Sequence, residues 1–216
     1  MRDAAGLTRE DIAGLSQEQE FARVSERYAH LEALLAEAQH QISDADWEWI
    51  SVDWLPFGGL GAVGGGLPGA TENNSYYFAA SRVLEVPGGS DDEAGLEPMR
   101  SYVVSKGWDY YTREMTGERD LWAQTGDGWW VNWSVRENGR YSLEVVSELF
   151  WSNDATELII AIGGRSTTVA PVSSPPGVVI PFPKWEDSFT RPPIMRPPPT
   201  PPPTSPVPPE SPVPPE

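Results

Sequence analysis

The chain has 216 residues, 32 Asp and Glu against 15 Lys and Arg, a formal charge of -17 and no cysteine. A field of that sign repels phosphate backbones and anionic bilayers, so nucleic acid is excluded as the expected partner. Without cysteine there are no disulfides, thiolate metal sites or cysteine nucleophiles, and no run of about 18 apolar residues exists to span a membrane.

From the N-terminus, Thr8 and Asp11 form a capping box that opens a short helix to about Leu15. Ser16 and Gln19 repeat the signal and open a long one. Its stripe is Phe21, Val24, Tyr28, Leu31, Leu34, Leu35, Ala38 and Ile42, at three- and four-residue spacings, and it ends near Ser43-Asp44. Trp47–Leu55 reads as a strand, residues 56–74 as a Gly-rich loop and Ser75–Val86 as another strand. Pro98 is tolerated only in a first turn, so a second helix begins near Glu97, and Gly107 takes its C′ position.

Four strands follow: 108–115, 121–125, 129–136 and 140–150. Asn138-Gly139 invites a two-residue turn, but that register divides the apolar set between two faces. A three-residue loop, Glu137-Asn138-Gly139, sets Val135, Trp133 and Val131 opposite Tyr141, Leu143 and Val145, with Gly139 left-handed at a bulge. Residues 153–164 fit a helix capped by Asn153 or Asp154, or an Ile-rich strand.

Of the 23 prolines, only Pro56, Pro68, Pro87 and Pro98 precede Pro171. That shift predicts three parts. They are a helical arm over 1–15, a single α+β domain over 16–170, and a Pro-rich linker and disordered tail over 171–216. Within the last part, 178–185 retains apolar side chains to lay on the domain. The expected fold class is α+β: an antiparallel, mostly meander sheet packed on the long helix and the shorter second one. The tail ends in two copies of Ser-Pro-Val-Pro-Pro-Glu, expected as extended polyproline, and Arg196–Pro202 fits an R-x-x-P-x-x-P ligand pattern.

No catalytic constellation emerges. Gly59-Leu60-Gly61-Ala62-Val63-Gly64 matches a dinucleotide string, yet the glycines and Pro68 that follow forbid the helix this chemistry needs. His30 and His40, ten residues apart on one helix, project in different directions. No EF-hand spacing occurs. No cofactor, metal or catalytic residue is therefore expected. The two sequons carry no weight in an Arg-rich, Lys-poor chain that reads as bacterial.

Ten tryptophans are the least ordinary feature. On strand 129–136, Trp129, Val131, Trp133 and Val135 share the core face. Trp130 lies opposite, with Asn132, Ser134 and Arg136. Those four residues, with Tyr111, form the candidate partner or ligand surface, since an aromatic among polar neighbours stacks on a sugar or clamps a peptide. The expected function is a non-catalytic binding module for a protein or glycan. The alternatives are a glycan hydrolase using paired carboxylates among Asp53, Glu144 and Glu148, and an acidic immunity-type inhibitor of a basic protein. Met1–Gly6 has no apolar signal region. The expected location is cytoplasmic if Met1 is the true start, and the envelope or outside if it is not.

The order of elements resembles that of the small actinobacterial LppA-like lipoproteins over roughly residues 16–165. The matching pieces are the helix Phe21–Ile42 leading into Asp46-Trp47-Glu48-Trp49, the loop Gly58–Gly66, Lys106-Gly107-Trp108, Gly126-Asp127-Gly128-Trp129 and Tyr141–Val145. The resemblance implies a fold and an envelope location. Those proteins carry a lipidated cysteine and further cysteines that this chain lacks, so lipid anchoring is not implied and no functional residue carries over.

Overall fold

Both N-terminal capping boxes form in the computed structural model, which describes residues 1–64 and 66–191. The terminal hexapeptide repeat and the Arg196 motif lie outside them. Thr8 caps α1 (Arg9–Ala13), and Ser16 caps α2 (Gln17–Ile42). The α2 stripe is buried from Phe21 to Ala38, and each fully buried large aliphatic contributes roughly 1.5–3 kcal/mol. It lies on one face of a seven-stranded antiparallel sheet ordered β10-β1-β4-β8-β7-β6-β5. The strands are β1 (Trp47–Trp49), β4 (Ala79–Glu85), β5 (Asp109–Met115), β6 (Glu118–Gln124), β7 (Trp129–Arg136), β8 (Arg140–Ser147) and β10 (Ser173–Ser174). Strands β5 to β8 form the expected meander, and the protein is α+β. α3 (Glu97–Lys106) shares the helical layer and ends at Gly107, whose φ of 68° is left-handed.

The β7–β8 hairpin has the three-residue loop. Trp133 opposes Leu143 and Val131 opposes Val145, and the Gly139 N–H donates to the Arg136 carbonyl at 2.9 Å. Gly139 has φ of 74° and packs against the Val86 carbonyl, so both conformation and space demand glycine.

Four expectations are corrected. The strand expected over Trp47–Leu55 stops at Trp49, because residues 51–54 fold inward to bury Asp53 and Trp54. Ser75–Val86 divides at Phe78, and 140–150 divides after Ser147. The pieces β3 (Ser75–Tyr77) and β9 (Phe150–Trp151) join β2 (Phe57–Gly58) in a separate three-stranded sheet. Both strands change sheet at one level, where the Phe78 N–H donates to Ser147 Oγ at 2.8 Å and the Phe78 carbonyl accepts from the Ser147 N–H at 2.9 Å. Finally, Ser173–Ser174, expected as linker, pairs with β1, and Trp49 Nε1 donates to Ser174 Oγ at 2.7 Å. Two serines at a sheet edge carry no apolar signal.

The 153–164 segment is helical: α4 (Ala155–Gly163), capped by Asp154, buries Ala155, Leu158, Ala161 and Ile162 at helical spacing. Beyond it the chain returns to α2. Tyr28 donates to the Ile180 carbonyl at 2.7 Å, and Phe182 and Trp185 pack edge-on against Phe21.

Between α2 and the sheet sits a charged cluster. Arg82 on β4 is 2% exposed, its guanidinium carbon 3.4 Å from the Trp49 ring centroid and its Nη2 2.5 Å from Asp53. Buried Glu32 of α2 adds a second carboxylate. Burial, then the charge of Asp53, pushes its carboxyl up from the ordinary 4.5 to about 7.

Two predictions follow from this cluster. Arg82→Ala leaves Asp53 buried without its cation and should cost about 3–5 kcal/mol in urea unfolding. Glu32 holds a proton in the folded state that the unfolded chain releases near pH 4.5. Its favourable contribution is therefore complete below about pH 4.5 and is lost as pH rises through about 7. Glu32→Gln should stabilise the protein at pH 8 relative to the parent, by on the order of 2 kcal/mol, and much less at pH 4.5. Parallel melting curves at the two pH values check this.

Candidate functional site

Opposed residues in an antiparallel pair share a face. The face of β7 turned away from α2 therefore continues across the sheet in rows. Ala79, Val146, Trp130 and Gln124 form the first row, and Ser81, Glu144, Asn132, Trp122 and Tyr111 the second. Val83, Ser142, Ser134, Asp120 and Arg113 form the third. Leu121, Val131, Trp133, Leu143 and Val145 point the other way, into the core with α2.

All five sequence-predicted residues lie on this open face, but in different roles. Asn132 is 6% exposed and its Nδ2 donates to the Leu121 carbonyl at 3.2 Å, while buried Ser134 donates to Asn132 Oδ1 at 3.3 Å. Arg136 is engaged by Glu118 at 3.0 Å, and that pairing holds the Glu118 carboxyl below its ordinary range. These three make the floor. Trp130 is half-buried, its Nε1 donating to Glu148 Oε1 at 3.3 Å. Tyr111, on the edge strand, is 48% exposed.

The face also carries Trp122, Asp120 and Arg113, which are not among the predicted surface residues. Trp122 meets Trp130 edge to face at 6.5 Å. Buried Asp120 accepts from Trp122 Nε1 at 3.2 Å and from Arg113 Nε at 3.1 Å and Nη2 at 2.5 Å. The Arg113 guanidinium carbon lies 5.4 Å from the Trp122 ring centroid. The only sequence signal was the two-residue period of β6, which places Asp120, Trp122 and Gln124 on one side once register is known. Glu144 is raised by burial and has no ion-pair partner among the described residues. Tyr77 is raised by its own burial and by the Glu144 charge.

The Gly-rich loop borders this region. Residues 59–64 make turns, with no helix opening at Gly64. Gly61 packs on the Tyr77 hydroxyl and Gly64 on the Glu148 carboxylate, where a side chain would collide. The carboxylates named as a hydrolytic pair are not gathered together: Asp53 is buried against Arg82 on the helical side, opposite Glu144. Of the histidines, exposed His40 pairs with Asp44 at 2.6 Å, and His30 stands against the Trp129 ring. No described helix is long and apolar enough to cross a membrane.

No protein-family model and no curated relative matches the chain. A crystal structure of the candidate lipoprotein LppA from Mycobacterium tuberculosis is similar at 13% identity, over 74% of this chain and 86% of that one, with a TM-score of 0.40.

Removing Asp120 tests how far the face depends on its buried acceptor. Arg113 is half exposed, so its ion pair adds little; the lost acceptor dominates. Asp120→Ala should cost about 1–2 kcal/mol in urea unfolding, and a change below about 0.5 kcal/mol would place it among ordinary surface substitutions.

Proposed function

We propose that the chain is a binding module whose open sheet face takes a glycan. The observation that carries this reading is the aromatic run Tyr111, Trp122 and Trp130, set beside hydrogen-bonding Gln124, Glu144 and Arg113 on a face that neither α2 nor α3 covers. A sugar presents an apolar ring face and a rim of hydroxyls, which rings flanked by amides and carboxylates match. The Pro-rich sequence after Arg191 serves in this reading as the spacer that presents the module.

A catalytic reading has less support. Asp53 is neutralised on the far side of the sheet, and Glu148 is engaged by Trp130 and Gln124.

Titration with soluble peptidoglycan fragments and neutral oligosaccharides, followed by calorimetry, tests the proposal. At least one class should bind, and Trp122→Ala with Trp130→Ala should weaken it by tenfold or more, since stacking contributes on the order of 1–3 kcal/mol per ring. Absence of binding in every class sinks the reading. Capture of a protein that the double variant abolishes would replace glycan by protein as the ligand of this face.

A further inference from the structure

On the helical side of the sheet, between α2 and the N-terminal residues Ala4 and Ala5, lies a cavity of about 260 Å³. Arg23, Arg27 and His30 line it from α2. Their i, i+4, i+7 spacing puts them on one face of the helix. Trp129 and Phe150 form an aromatic wall, and Glu26 and Asp127 supply carboxylates. The volume lies just below the roughly 300 Å³ at which sites for drug-sized ligands begin, so an occupant must be small.

The charges in this cavity are not used up internally. Among the described residues, Arg23 and Glu26 have no ion pair and no side-chain hydrogen bond, although they share a helix. Arg27 stacks over Phe150, its guanidinium carbon 4.0 Å from the ring centroid, and donates through Nη1 to the Tyr76 hydroxyl. Among the described residues it has no carboxylate partner. His30 Nε2 is buried with no hydrogen-bond partner; Asp127 Oδ2 is 3.4 Å away in a geometry that makes none. In a chain with 32 acidic side chains, two arginines without a carboxylate partner in one cavity are not the default outcome. Buried polar atoms are normally satisfied.

We propose that this cavity binds a small zwitterion with an apolar side chain, of the amino-acid class. Arg23 and Arg27 take the carboxylate, Glu26 and Asp127 face the ammonium, and the side chain lies against Trp129 and Phe150. Two cations and two carboxylates around an aromatic wall favour a ligand carrying both charges over a simple anion, which Glu26 and Asp127 would repel.

The two histidines give a clean readout. Proton NMR of the imidazole Cε1–H signals, assigned with His40→Gln, follows His30 in the cavity, while His40 on the exposed end of α2 is an internal control. L-phenylalanine should move the His30 signal saturably and leave His40 still. N-acetyl-L-phenylalanine keeps only the carboxylate and L-phenylalaninamide only the ammonium, so each should bind at least about tenfold more weakly. Arg23→Gln should weaken L-phenylalanine by about tenfold at unchanged melting temperature. An unmoved His30 signal at about 10 mM ligand overturns the proposal, as does an equal response to all three compounds or an unaffected Arg23→Gln variant. Trp122→Ala and Trp130→Ala should leave this titration intact, which separates it from the open-face reading.

Discussion

A buried arginine on a central strand constrains everything around it. Arg82 faces the helical layer from β4, so its charge cannot reach water. Burial is tolerable only with a counter-ion and further contacts. Asp53 provides the first and the Trp49 ring the second, which is why the chain leaves its extended path after β1 and folds inward over residues 51–54. Glu32 brings α2 into the same cluster. Burial, and then the negative charge of Asp53, raise the Glu32 carboxyl within this cluster of one cation and two carboxylates. Helix, inward turn and central strand are thereby tied at one point.

Fixing β4 in that orientation decides the character of both faces of the sheet. The helical side receives Trp47, Trp129 and Trp133 with the α2 stripe; Trp133 meets Trp47 tilted and Tyr141 edge-on, while Trp129 stacks on Phe78. The opposite side receives what alternation leaves: serines, an asparagine, carboxylates and the half-buried rings of Trp122 and Trp130. No helix is needed to bury such a face, because its floor satisfies its own hydrogen bonds. Neighbouring strands thus supply an ordered aromatic and polar surface from a sequence that reads, strand by strand, as ordinary alternation.

The N-terminal segment has a part in this design out of proportion to its length. The Asp3 carboxylate accepts from the backbone of Ala5, Leu7 and Trp151, so the first residues are pinned across the small sheet. Pinned there, Ala4 and Ala5 close one side of the cavity below Arg23 and Arg27. The net acidity of the chain therefore conceals a local balance, since two arginines face two carboxylates around this cavity.

The sequence alone determined what short-range physics controls. It was enough for both capping boxes, the α2 stripe, the Gly107 terminus and the three-residue hairpin loop, because each depends on residues within a few positions or on one hydrophobic register. It also put Trp130, Asn132, Ser134 and Arg136 on a common face. Only the tertiary structure decided which of those are buried or engaged and which stay half-buried, since that depends on Leu121 and Glu118 from the adjacent strand. The exchange of strands at Phe78 and Ser147, the pairing of Ser173–Ser174 with β1 and the encounter of Asp53 with Arg82 join residues far apart in the chain, where local pattern carries no information. The cavity beside α2 is of the same kind: Arg23, Arg27 and His30 share a helical face by spacing, but Trp129, Phe150 and Ala4 reach them only through the folded chain.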